Sequence, residues 1–210
     1  VQLLLGKALM RNGEVAAAEV VFKEALRLGV NRAEVAAQLG QAYVAQGKHK
    51  LVMEEKIFAP DGLPPGIRLD MHLLRATVLT DLGDPSLALP EIDEARAIDS
   101  RNERVWLTEV PIRIRARQLK EANAAADMAL SLMPSSTEGL YQKGQIAHVQ
   151  GDLRGAAALY DRALLADKSH VEARVARIGI ALDQGRFSDA AKDVAELQAE
   201  VPDEPRGAYM

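Results

Sequence analysis

The side chains able to do chemistry in this 210-residue chain are few and scattered. Its four histidines, His49, His72, His148 and His170, never pair at the i, i+4 spacing that puts two imidazoles on one metal ion. There is no cysteine, which excludes disulfides, thiol nucleophiles, iron–sulfur clusters and cysteine-rich zinc sites. Gly151-Asp152-Leu153-Arg154-Gly155 has the glycines of a phosphate loop but lacks the Lys-Ser/Thr pair and a preceding strand. Ser135-Ser136 ahead of Thr137-Glu138 reads as a helix N-cap region. Asp189, Asp193 and Glu196 recur at i, i+4 and i, i+3, the pattern of a solvated helical face. Arg113, Arg115 and Arg117, with Arg101, Arg104 and Lys120 nearby, advance in two-residue steps and so split between helix faces. Such cations complement a helix C-terminus, or grip acidic peptide or sugar groups from an inner surface. These residues define no catalytic constellation, metal site or cofactor site, and the chain reads as a non-enzyme.

Composition narrows the class further. The net charge of −4, from 26 basic and 30 acidic residues, argues against nucleic acid as the main partner. Hydrophobic residues make up 48% of the chain but aromatic ones only 4%, and Ala, Leu and Val dominate. That mixture favours closely packed helices over a β-rich core. No apolar run approaches the length of a membrane span. The opening Val1-Gln2-Leu3-Leu4-Leu5-Gly6-Lys7 lacks a basic leader region, and it starts inside an apolar helical pattern without an initiator Met. This stretch is therefore expected to be a piece of something longer.

A repeat organises the rest. Gly13, Gly47, Gly83, Gly151 and Gly185 are separated by 34, 36, 68 and 34 residues, and Arg117 stands at the midpoint of the 68. Ala18, Val52, Ala88, Ala122, Ala156 and Ala190 fall in one phase five residues later. Ala25, Ala59, Ala95, Ala129, Ala163 and Leu197 fall in another, seven further on. Gly at the first position suits the left-handed turn that ends a helix. The two alanine positions lie nearly two turns apart on one helix face and let neighbouring helices approach closely.

This period and punctuation resemble the tetratricopeptide repeat (TPR), which has two antiparallel helices per unit. Its motif residues appear as Leu5, Gly6, Leu9, Gly13, Ala18, Phe22 and Ala25 in the first unit, and as Leu39, Gly40, Tyr43, Gly47 and Ala59 in the second. They continue as Ala76, Leu79, Gly83, Ala88, Ile92 and Ala95, then Trp106, Ala122, Ala129 and Pro134. Leu140, Gly144, Gly151, Ala156, Tyr160 and Ala163 follow, and finally Gly185, Ala190 and Pro202. The resemblance implies an all-α fold, a right-handed α-solenoid (superhelix) of six helix-turn-helix units. They span 1–32, 33–68, 69–102, 103–136, 137–170 and 171–204, one solenoid over 1–204, and 205–210 start a further unit or a tail. The second to fourth units depart from the motif. Lys56 stands where the second helix should carry an aromatic residue, and a breaker-rich loop follows over 59–66. Pro90 falls inside a second helix, and Pro111 inside a first helix that is expected to kink there. Val110 and Arg117 occupy positions where small residues belong.

In this family the first helix of each unit lines the concave surface and supplies ligand contacts. Carried over, those positions give Lys7 and Arg11, Gln38 and Gln41, Thr77, then Arg104, Thr108 and Arg115, and finally Tyr141, Gln142, Gln145 and His148. The groove they imply is polar, with amides and hydroxyls suited to a peptide backbone, and the partner is a protein or peptide. The Lys/Asn set that clamps a C-terminal carboxylate in some members is not reproduced. The turn at 45–50 and the Gly-Leu-Pro-Pro loop at 62–65 also resemble the TPR lipoproteins of bacterial exosortase (PEP-CTERM) systems, linked to exopolysaccharide production and envelope protein sorting. That resemblance implies a periplasmic or envelope location; without it the chain reads as cytoplasmic. The expected function is a non-catalytic scaffold for protein–protein interaction. The competing readings are a recognition module of a larger enzyme or polysaccharide export machine, and self-association into a homo-oligomer through exposed solenoid ends.

Overall fold

The computed structural model describes residues 1–200. Among them it holds twelve α-helices, one short 3-10 turn and no strand. The helices form two compact units, one over Val1–Ala116 and one from Arg117 onward.

The first unit runs α1 (Gln2–Arg11), α2 (Val15–Arg27), α3 (Arg32–Ala45), α4 (His49–Glu54), α5 (Pro65–Asp81), α6 (Pro85–Ile98) and α7 (Glu103–Arg115). The second runs α8 (Leu119–Leu132), α9 (Thr137–Val149), α10 (Leu153–Ala166), α11 (Val171–Asp183) and α12 (Phe187–Glu200). Within the units α1 and α2, α3 and α4, α5 and α6, α9 and α10, and α11 and α12 pair as helical hairpins, although α5 begins at Pro65, inside the range assigned to the second predicted repeat. The expected start of a further helix at 205–210 lies outside the described residues.

The small-residue phases are where the cores form. Ala18, Ala25, Val52, Ala88, Ala95, Ala122, Ala129, Ala156 and Ala163 are all fully buried. A small side chain at each point, a bare methyl at all but Val52, lets the partner helix close to the distance at which ridges and grooves interlock. A second rule operates between the two helices of a hairpin. Gly6 of α1 lies under the ring of Phe22 in α2, and a Cβ at Gly144 of α9 would stand 2.5 Å from Cε1 of Tyr160 in α10. Where the helix-B side chain is smaller, the helix-A residue grows. Ala76 packs in one cluster with Ile92, and Ile178 in another with Val194. Size on one helix is traded against size on the other, as close-packed cores favour.

The turns obey a backbone constraint. Gly13, Gly47, Gly83, Gly151 and Gly185 all have positive φ, between 68° and 88°. Arg117, at the same point of the repeat, has φ 59° and no glycine to relieve it. A Cβ in this left-handed region crowds the following carbonyl. Helix starts are capped by side chains: Asn102, Ser136 and His170, 34 residues apart, accept from Arg104, Gly139 and Ala173 N–H groups. Pro90 and Pro111 lie within helices that stay continuous, both rings facing solvent.

The second hairpin departs most. Helix α4 lasts six residues, then gives way to the 3-10 turn Lys56–Phe58. Lys56, at the aromatic position, is exposed, and Phe58 is buried instead, edge-on to Tyr43 at 5.5 Å between centroids. Ala59, expected as a small helix-B residue, is a correction: it follows the turn in extended backbone. Its carbonyl accepts from the guanidinium of Arg32, which also donates to the Asp61 carbonyl at 3.1 Å.

Two outcomes are expected. Gly144→Ala should destabilise the chain by about 1–3 kcal/mol through overpacking. In a Tyr160→Ile background the same change should be neutral or stabilising, up to about 1 kcal/mol from helix propensity. Urea denaturation of the four chains gives the coupling; simple additivity would show that the ring and the glycine do not set each other. Separately, Arg117→Gly should raise stability by about 1 kcal/mol, and an unchanged or lower urea midpoint would contradict the strain.

Candidate functional site

The clearest recess built from helix-A residues lies in the first unit, against α3, α5 and α7. It is an open cleft of about 650 Å³. Five of the sequence-predicted residues line it: Gln38 and Gln41 from α3, Thr77 from α5, Arg104 and Thr108 from α7. They stand at repeat positions 2, 6 and 9, which share one helix face by i, i+4 and i, i+3 spacing, so three successive first helices turn the same face to one space.

The polar chemistry here is open to a ligand. Gln38 and Gln41, one helical turn apart, have no hydrogen-bond partner among the described residues. Thr77 Oγ1 donates to the Leu73 carbonyl at 3.0 Å, and Thr108 Oγ1 to the Arg104 carbonyl at 2.8 Å. Each hydroxyl hydrogen is thus turned back to its own helix, leaving the oxygen as an acceptor. Arg104 Nη1 donates to Asp70 Oδ1 at 2.7 Å, a pair 34 residues apart that spans one repeat and leaves the arginine 59% exposed. Ala37, Val44, Ala45, Leu73 and Leu74 supply the apolar lining.

The other predicted residues have different placements. Lys7 and Arg11 are exposed on α1 and do not line this cleft. Arg115 Nη1 donates to the Thr80 carbonyl at 3.3 Å and lies near Asp81, so it tends the C-terminus of α5. Arg113 bonds Glu109 and Arg117 occupies the strained turn, so the three arginines go three separate ways. In the second unit all four predicted residues are on α9. Gln145 Nε2 donates to the Tyr141 hydroxyl at 2.8 Å, and Tyr141 leans on the rings of Tyr160 and His170. His148 is half-buried. Gln142 is a correction to the expected open groove surface: it is only 7% exposed, and its amide donates to Glu138 at 2.8 Å.

Sequence reasoning missed Asp70 as the partner of Arg104, although the 34-residue separation marks the two as neighbours in a stack. It also missed how α3 is held. Glu19 of α2 accepts from Gln46 and Lys48 at the end of α3 and from Lys23 on its own helix, at 2.7, 2.5 and 2.6 Å. Burial acts to raise its carboxyl, but the hydrogen bonds from Lys23, Lys48 and Gln46 overcome that and bring it from 4.5 to about 2. On the far side of α5, Glu91 accepts from Arg75 and pairs with His72, both at 2.7 Å. Burial opposes its charge, and the His72 and Arg75 contacts hold the carboxyl below its usual value.

A family model for the tetratricopeptide repeat matches residues 3–51, 107–167 and 141–205. The chain belongs to the tetratricopeptide repeat family. Human tetratricopeptide repeat protein 7B is 35% identical over 89 residues, 42% of this TPR chain and 10% of that protein's length. A tetratricopeptide repeat protein of Parabacteroides merdae superposes with a TM-score of 0.79 at 15% identity, covering 99% of this chain and 80% of that one. YrrB, a TPR protein with an unusual peptide-binding site, superposes with a TM-score of 0.53 at 20% identity, covering 82% and 88%. These structural likenesses establish the all-α TPR solenoid fold. No helix among the described residues is long and apolar enough to cross a membrane.

The Glu19 network sets a pH test. A carboxyl depressed on folding stabilises fully above its unfolded value, near 4.5, and the contribution fades as pH falls toward about 2. The difference in melting temperature between the wild type and Glu19→Gln should therefore shrink by more than half between about pH 7 and about pH 3. An equal difference at both would mean that the carboxylate is not the group holding the α3 end.

Proposed function

We propose that this TPR chain is a protein-interaction scaffold whose cleft against α3, α5 and α7 holds an extended segment of a partner protein. The observation that carries the reading is the convergence of Gln38, Gln41, Thr77, Arg104 and Thr108 on one space. The amides each offer both a donor and an acceptor, and the threonines offer acceptors. A strand-like backbone, with donors and acceptors on alternating sides, matches that inventory. The apolar lining supplies burial for side chains between the polar contacts. YrrB, with its peptide-binding site on the same fold, supports the class of ligand. The resemblance of residues 45–50 and 62–65 to exosortase-system lipoproteins puts bacterial envelope and exopolysaccharide-associated proteins first among the partners to test.

A displayed library of linear peptides, panned on the full chain, should yield binders that weaken at least about tenfold on the double variant Gln38→Arg/Thr77→Arg. Both changes place bulk and charge in the cleft without touching a buried core position. Binders that hold this variant as tightly as the wild type would place recognition on another surface and overturn the reading.

A further inference from the structure

The cleft owes its room to an irregularity elsewhere in the second hairpin. Gly6 and Gly144 are each covered by a rigid ring from their own hairpin, Phe22 and Tyr160. Gly40 occupies the same repeat position in α3, but its hairpin offers Lys56 there, exposed to solvent, while Phe58 is spent on Tyr43. The space over Gly40 is taken instead by Leu74 of α5, whose side chain supplies all three nearest atoms to a Cβ built at Gly40. Leu74 belongs both to the edge of the first core cluster and to the wall of the cleft. It sits at the repeat position that puts Gln38 and Thr108 into the cleft, yet it folds back onto α3.

We infer that the cleft selects its peptide by one bulky apolar side chain, aliphatic or aromatic, and that Gly40 makes room for that side chain by letting Leu74 lie back on α3. This deepens the groove reading and rests on it. With Leu74 withdrawn, the partly exposed Ala37 and Val44 and the exposed Ala45 are left facing an open volume beside the free amides of Gln38 and Gln41. Apolar walls in an open recess favour a ligand group that removes them from water. A Cβ at position 40 would meet the flexible end of Leu74, not backbone and not a ring. The core side of that leucine is already packed, so the branch would swing into the cleft. Gly40 is thus a positioning residue that touches no ligand and sets the volume that one side chain of the ligand can fill.

The test uses peptides selected on the wild-type chain and lost on Gln38→Arg/Thr77→Arg, with binding read by fluorescence anisotropy and folding by thermal melts. The selected peptides should share one large apolar residue, whose replacement by alanine weakens binding at least about tenfold. Gly40→Ala should weaken the same peptides by a similar factor while its melting temperature stays at or above that of the wild type. Leu74→Ala added to Gly40→Ala should restore affinity to within about threefold, a rescue that general structural damage would not give. Should Gly40→Ala misfold, Leu74→Phe fills the cleft from the other side of the contact and should weaken binding equally. Undiminished binding to Gly40→Ala, or to Leu74→Phe if that variant stands in for it, overturns the inference, as do cleft-dependent peptides without a shared bulky residue; both leave the groove reading standing. Failure to select any cleft-dependent peptide overturns the groove reading and this inference together.

Discussion

The spacing between the two helices of a hairpin is set by one contact, a bare or small residue of the first helix beneath a side chain of the second. Gly6 beneath Phe22 and Gly144 beneath Tyr160 are its extreme form. Ala76 with Ile92 and Ile178 with Val194 divide the space differently, a larger first-helix residue standing with a smaller second-helix one. The sequence continues the trade at Val110 and Ala126. No hairpin of this size buries its apolar face alone, so each must present a surface on which the next can seat. A constant inter-helix distance makes those surfaces equivalent. The buried alanines of the second helices can then meet the following unit at close range, hairpin after hairpin.

The second hairpin shows what happens when that contact is missing. A lysine at position 56 cannot fill the space over Gly40 without burying an unpaired charge, and that cost is large. The chain leaves Lys56 in solvent, breaks the helix after Glu54 and uses Phe58 against Tyr43. Arg32 then holds the breaker loop by its carbonyls. Leu74 of the next hairpin takes the space over Gly40 and lies on the wall of the cleft.

Part of the lining of the candidate cleft was legible because repeat position carries orientation. The ligand positions implied by the family resemblance, carried over by register, nominated Gln38, Gln41, Thr77, Arg104 and Thr108, and the fold brings those five to one space. Register failed where a side chain had a stronger local partner. Arg115 is long enough to reach the carbonyls ending α5, and Gln142 has Glu138 one turn before it. Neither preference shows in the periodicity, which records where a Cβ points and not where a long side chain ends. The ion pairs were equally hidden: Glu19 gathers Lys23, Gln46 and Lys48 from two helices, and only the folded chain places them within reach of one carboxylate.

Sequence by itself determined the class of the protein and the location of its turns. The 34-residue period and its punctuation carry the resemblance to the helical-hairpin family, and the glycines mark left-handed turns at a point of the repeat where Arg117 takes the same conformation. Helix lengths, caps and the exposed faces follow from local chemistry that each segment carries with it. The tertiary structure decided what depends on volumes shared between segments distant in the chain. Whether Gly40 is covered by its own hairpin or by the next, and hence whether a cleft opens against α3, α5 and α7, is a packing outcome among residues 34 apart. Periodicity assigns a side chain to a face; only the filled interior determines how much room that face has left.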